Sequence, residues 1–196
     1  MLRHHRRIAC LVAVGLLCLS GCAGKIKATQ FTNPDFDFSY VERVAVLPFE
    51  NLTNDRQAGF RATRLTITEL LASGTVDVVE PGEVQAAQLK IQGGQPGRMG
   101  PPSTEQIISM GKALGVQAIV VGSVPQSETL RSGAVLIPVV TLDAHMIETE
   151  TGATVWAATN TEKGGSAGAK VLGTGGQPIS TTTRRCVQNL LKTLIE

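Results

Sequence analysis

The chain has 196 residues, 18 basic and 16 acidic side chains and a net charge of +2. Arg3, Arg6 and Arg7 lie in the first 21 residues, so the remainder holds 15 basic against 16 acidic groups, a net of −1. That balance lacks the clustered basic surface that nucleic-acid binding needs, and about 175 residues suffice to bury one core.

The three arginines precede an apolar run from Ile8 to Leu19, which ends in Leu19-Ser20-Gly21-Cys22. A basic start, a short apolar stretch and small residues before a cut describe a secretory signal peptide. The run is shorter than the roughly 20 apolar residues of a permanent span. Cysteine after the small pair makes the segment resemble a bacterial lipobox. The resemblance implies cleavage before Cys22 and acylation of that residue, with several acyl chains giving stable attachment. Residues 1–21 are then the signal, 22–41 a lipidated tether and 42–196 one domain. Ala23 after the cysteine, where aspartate is absent, fits sorting to the outer membrane, facing the periplasm. Cys10 and Cys18 leave with the signal, so Cys186 is the one free thiol and no intrachain disulfide is expected.

The tether has no helical period. Phe36 and Phe38 alternate with Asp35, Asp37 and Ser39, which fits either a linker or an edge strand. Residues 42–49 (ERVAVLPF) read as a strand covered on both faces. Asn54 and Gln57 have capping-box spacing before a helix to about Ala72, with Phe60, Thr63, Ile67, Leu70 and Leu71 as its inner face. Gly74 stops it. Residues 76–79 form a short strand, and a helix after Pro81-Gly82 carries Val84, Ala87 and Ile91. Residues 93–102 are glycine- and proline-rich loop.

Ser103 and Gln106 cap the next helix, whose inner face is Ile107, Met110, Gly111 and Leu114. Gly115 ends it, and residues 118–124 are a strand. The stretch Leu130–Ile137 reads as a partner-contact loop or as a continuing buried strand, the second being preferred. From Val139 to Thr149 apolar Val140, Leu142, Ala144 and Met146 alternate with Thr141, Asp143 and His145, as in a half-exposed antiparallel strand. Thr151-Gly152 turns the chain into a strand over 153–159 that carries Trp156, expected in the core. Residues 164–178 are a glycine-rich loop. The chain ends on an amphipathic helix, 181–196, with Val187, Leu190, Leu191, Leu194 and Ile195 as its stripe. The order β-α-β-α-α-β-β-β-α predicts a single-domain α/β sandwich, a mixed sheet flanked by helices.

Four ordered stretches carry a family resemblance: residues 44–53, 73–80, 111–124 and the hairpin 142–161. Together, behind a lipobox, they resemble the CsgG-like family of outer-membrane lipoproteins, whose best-known member is the curli secretion channel. Related domains occur in the lipoprotein that activates a penicillin-binding protein and in the N-terminal part of the TolB translocation protein. The resemblance covers about residues 42–196. It implies a non-catalytic protein that is held by the membrane, self-associates and contacts envelope partners. The alternatives are a secretion channel or an activator of a peptidoglycan synthase. The channel needs two long hairpins, with about 9–11 alternating residues per spanning strand. Only 15 residues, 123–137, are available for the first. The 21 residues of 157–177 include six glycines, with Val171 and Leu172 as the only large apolar side chains. An activator working through the cell wall calls for a longer, more proline-rich tether.

Catalytic motifs are weak. His145 is the only histidine after the signal and shares a face with Asp143 and Thr141, yet there is no GxSxG elbow. It reads as a solvated sheet residue. Cys186 adjoins Arg184 and Arg185, which would favour a thiolate, but its place in the helix stripe reads as structural. Gly173-Thr174-Gly175-Gly176 lacks the strand and lysine of a phosphate loop. No HExxH, CxxC or ligand-spaced carboxylate cluster is present. No enzyme activity, cofactor or metal is expected.

Overall fold

The computed structural model describes residues 28–91, 101–133, 135–165 and 176–195. Seven strands form one mixed sheet: β1 (Thr29–Thr32), β2 (Arg43–Val46), β3 (Glu50–Asn51), β4 (Asp77–Val78), β5 (Ala118–Ser132), β6 (Val135–Glu148) and β7 (Thr154–Lys163). Four helices flank it: α1 (Ala58–Ser73), α2 (Pro81–Ile91), α3 (Thr104–Leu114) and α4 (Ile179–Ile195). The strand order is β1-β7-β6-β5-β2-β4, with β3 extending the row beside β5. β2 is parallel to β4 and β5, whereas β5, β6, β7 and β1 pair antiparallel. This is the expected α/β architecture, with the parallel half buried on both faces.

α1 and α4 cover one face. There Val44, Val46, Val120, Val140, Leu142, Ala144, Met146 and Trp156 meet Ala62, Leu70, Val187 and Leu190. α2 and α3 cover the parallel half of the other face, where Ala45, Leu47, Val79 and Ile119 meet Val84, Ala87, Ile107 and Met110. Beyond them the second face carries Phe31, Thr141, Asp143, His145 and Thr159, which are partly or fully exposed.

Several expectations shift. β1 enters the sheet at Thr29–Thr32, pairing with Trp156 to Thr159, within the stretch assigned to the tether. The Phe36–Phe38 alternation does not make an edge strand. Asp37 instead accepts the Ser39 N–H and caps a 3-10 turn, Phe38–Tyr40, while the two phenyl rings meet edge to face 5.0 Å apart. α1 begins at Ala58, not at an Asn54 cap, and Asp55 accepts the Gln57 N–H. Its buried face is Ala58, Gly59, Ala62, Thr66 and Leu70, so Phe60 and Leu71, at 62% and 56% exposure, point outward. Small residues let the helix backbone approach the sheet: a Cβ on Gly59 would lie 2.5 Å from the Phe49 carbonyl oxygen.

α3 forms as expected, with the reciprocal Ser103–Gln106 capping box and left-handed Gly115. β5 and β6 run much further than expected. Residues 126–132 stay paired with 135–141, and a register shift between Ser123 and Gln126 accommodates Pro125, which has no N–H to give. Residues 130–132 and 135–137 are therefore strand, with Gly133 at the turn at φ 65°. Most of each expected loop, 93–102 and 164–178, lies outside the described residues.

Candidate functional site

Cys22 and residues 173–175 lie outside the described residues. Of the other candidates, His145 and Asp143 do come together: His145 Nε2 is 3.0 Å from Asp143 Oδ2. Asp143 Oδ1 also accepts the Thr159 hydroxyl at 2.7 Å. Among the described residues no third member of a triad reaches the imidazole. Thr141 Oγ1 bonds to Gln126 and Thr161 instead, at 3.3 and 3.0 Å. The pair is 41% and 34% exposed on the outer sheet face, where water solvates it. Among the described residues no group of three or more His, Cys, Asp and Glu side chains is arranged to hold a metal.

Cys186 is fully buried. Its thiol donates to the carbonyls of Asn160 at 3.3 Å and Val140 at 3.5 Å, and Asn160 Nδ2 donates to the Cys186 carbonyl at 3.1 Å. Burial, with the nearby Glu162 charge, pushes the thiol up to about 12. The neighbouring arginines do not activate it. Arg184 is exposed, and Arg185 reaches outward to Gln177 and Glu162. Trp156 is also fully buried and donates its indole N–H to Thr193 at 3.1 Å, so it is core and no interface anchor.

A polar knot and two grooves carry no local signal in the sequence. Arg61, on α1, donates to Thr183 on α4 and Ser127 on β5, each at 3.2 Å, and to the Asp55 carboxylate. Ser127 donates to the same carboxylate at 3.0 Å. Burial alone would raise Asp55, but the donors Arg61, Gln57 N–H and Ser127 outweigh it and hold the carboxyl below its usual range. The four partners are scattered over 128 positions of sequence, which hides them from any local motif.

Beside this knot a groove of about 500 Å³ opens between the first turns of α1 and α4. Phe60, Arg61 and Arg64 line one wall, and Ser180, Thr181 and Arg184 the other. Arg64 stacks over the exposed Phe60 ring, 5.6 Å from its centroid. No carboxylate is among the lining residues, and the start of α4 adds positive partial charge. Beside Glu148, at the end of β6, lies a groove of about 440 Å³ of opposite sign. Asp35, Asp37, Glu148 and Glu150 line it with Phe36 and Tyr40, and no basic residue does. Tyr40 donates to Glu150 at 2.9 Å. Glu148 is held low: burial opposes ionisation, but the Thr151 hydroxyl and the N–H groups of Thr151 and Glu150 prevail.

No protein-family model matches the sequence, and no curated protein matches it. Solved structures do share its fold. The PelC dodecamer from Paraburkholderia phytofirmans is similar at 19% identity and a TM-score of 0.58, covering 84% of this chain and 96% of that one. Lipoprotein GNA1162 from Neisseria meningitidis is similar at 14% identity and a TM-score of 0.50, covering 67% and 91%. The Chlamydia trachomatis protein CT253 is similar at 9% identity and a TM-score of 0.53, covering 79% and 96%. At these identities the likeness establishes a common fold, one that a lipoprotein and a dodecameric protein both use.

Proposed function

We propose that this chain is a bacterial lipoprotein, anchored through Cys22 to the periplasmic leaflet of the outer membrane. There it acts by self-association and protein contact, as a non-catalytic accessory or scaffold of envelope assembly or secretion. The observation that carries the reading is its fold, similar over 84% of the chain to a protein that assembles as a dodecamer. The lipobox-like Leu19–Cys22 and the likeness to a Neisseria lipoprotein support the anchor. The isolated His145–Asp143 pair and the inert Cys186 thiol support the absence of catalysis.

The CsgG-like resemblance fits this reading at the level of domain and anchor. The channel alternative draws less support. Segment 126–132 remains paired with 135–141 in the main sheet, and its exposed residues include Glu128 and Arg131. A lipid-facing strand needs apolar side chains at alternate positions.

The test is the mass of the full chain extracted in detergent, by size-exclusion chromatography with light scattering, beside metabolic labelling with palmitate. A multimer labelled in the unaltered chain, with label and membrane association lost in Cys22→Ala, is the expected result. A monomer would remove self-association from the proposal, and label retained in Cys22→Ala would remove the anchor.

A further inference from the structure

We propose that the basic groove between α1 and α4 receives the acidic groove of a second copy, joining copies head to tail. This rests on the self-association reading above and assigns its surface.

The rims of the two grooves are opposite in charge. Arg61 is already engaged by Asp55, so the free positive charge comes from Arg64 and Arg184, both exposed. Facing charge comes from Asp35 and Glu150, also exposed. Each groove has aromatic anchors beside its charges: Phe60, 62% exposed, in one, and Tyr40, 49% exposed, in the other. Arginine and aromatic side chains at the centre of a contact carry much of an interface's energy.

The grooves also sit where a repeating contact needs them. Ser127, bonded to Arg61, pairs with Val140 on β6, and Glu148 lies eight residues further along the same strand. At a rise of about 3.3 Å per residue the two sites are roughly 26 Å apart along the sheet. A groove meeting its own copy would set Arg64 and Arg184 against themselves. Basic end to acidic end removes that repulsion and leaves one free groove of each kind on the growing assembly. Such a heterologous contact closes into a ring when its rotation permits.

The experiment uses the full chain in detergent and two charge-reversed forms, Arg64→Glu/Arg184→Glu and Asp35→Lys/Glu150→Lys. All four positions are on the surface, and circular dichroism verifies that each form is folded. The expected result is an assembly of more than two copies for the unaltered chain, which shrinks in mass as salt is raised. Each reversed form alone runs at monomer mass. Mixing them restores the assembly, because each acidic groove then finds a basic one on the other form.

A monomeric unaltered chain would overturn both this assignment and the self-association reading. An unaltered multimer whose mass neither reversal changes would overturn the groove assignment and leave self-association standing. Dissociation by each reversal without rescue on mixing would overturn the pairing of one groove with the other. A sealed two-copy assembly would overturn the head-to-tail arrangement.

Discussion

Gly111 on α3 presses so closely on Thr149 that a Cβ at position 111 would lie 2.3 Å from the Thr149 Cβ. Thr149 cannot turn aside, because its hydroxyl donates to the carbonyls of Val116 and Gln117, at 2.7 and 3.1 Å. The glycine thus sets the distance between α3 and the end of β6. Gly111→Ala gains helix propensity, but the clash outweighs it, with an expected net loss of about 1–3 kcal/mol. Urea unfolding of the two forms checks this. An unchanged or higher midpoint would mean that α3 is free to move off the sheet.

The Arg61 knot ties α1, α4 and β5 together. Arg61→Met leaves the Asp55 carboxylate short of its principal donor, and the expected loss is about 1–3 kcal/mol. Asp55 and Glu148 both titrate lower in the folded chain than their ordinary 3.8 and 4.5. Their contribution is therefore complete above those values and is lost as pH falls through the lower, folded ones. Thermal midpoints followed from pH 6 downward should fall, and Asp55→Asn should make that fall shallower. A slope identical in the two forms would show that Asp55 takes no part.

Cys186 should be silent toward thiol reagents in the folded protein at pH 8 and react only on unfolding. A raised thiol pKa means that the neutral form is favoured by the fold. That stability is full below the unfolded thiol value of 9.0 and fades as pH rises toward about 12. Labelling with and without denaturant measures it, and rapid labelling of the native chain would contradict the buried geometry.

His145→Ala should leave stability within about 0.5 kcal/mol, since the side chain is half exposed and bonds only to Asp143 among the described residues. Trp156→Ala should cost about 3–5 kcal/mol, as for any large aromatic removed from a packed core. Denaturant midpoints distinguish the two. A costly His145→Ala would point to a role on the sheet face that hydrogen bonding does not reveal.

What could be read in the sequence was what neighbours in sequence decide. The Ser103–Gln106 box, Gly115 and the alternation of Val140 to Met146 are local signals, and each appears in the structure as expected. α1 misled because Phe60 and Leu71 are its most apolar side chains, whereas the tight approach to the sheet selects Ala58, Gly59 and Ala62. β1 has a single apolar residue, Phe31, and owes its strand to β7, more than 120 positions later. Pro125 masked the continuity of β5. The grooves were illegible for a simpler reason: Arg64 and Arg184, like Asp35 and Glu150, meet only after folding.

The early arrival of β1 has a consequence for the bilayer. A free tether up to Tyr40 would give the domain a reach of about 60 Å from an acylated Cys22. With Thr29 already in the sheet, only six residues, 23–28, would lie between an acylated Cys22 and the fold, a reach of at most about 20 Å. Cutting the reach threefold cuts the volume each domain explores by a factor on the order of 30, crowding anchored neighbours into one thin layer. Lipid attachment would then act as a concentrator, holding the contacting faces of neighbouring domains in one plane and adding to the association expected of the chain in detergent.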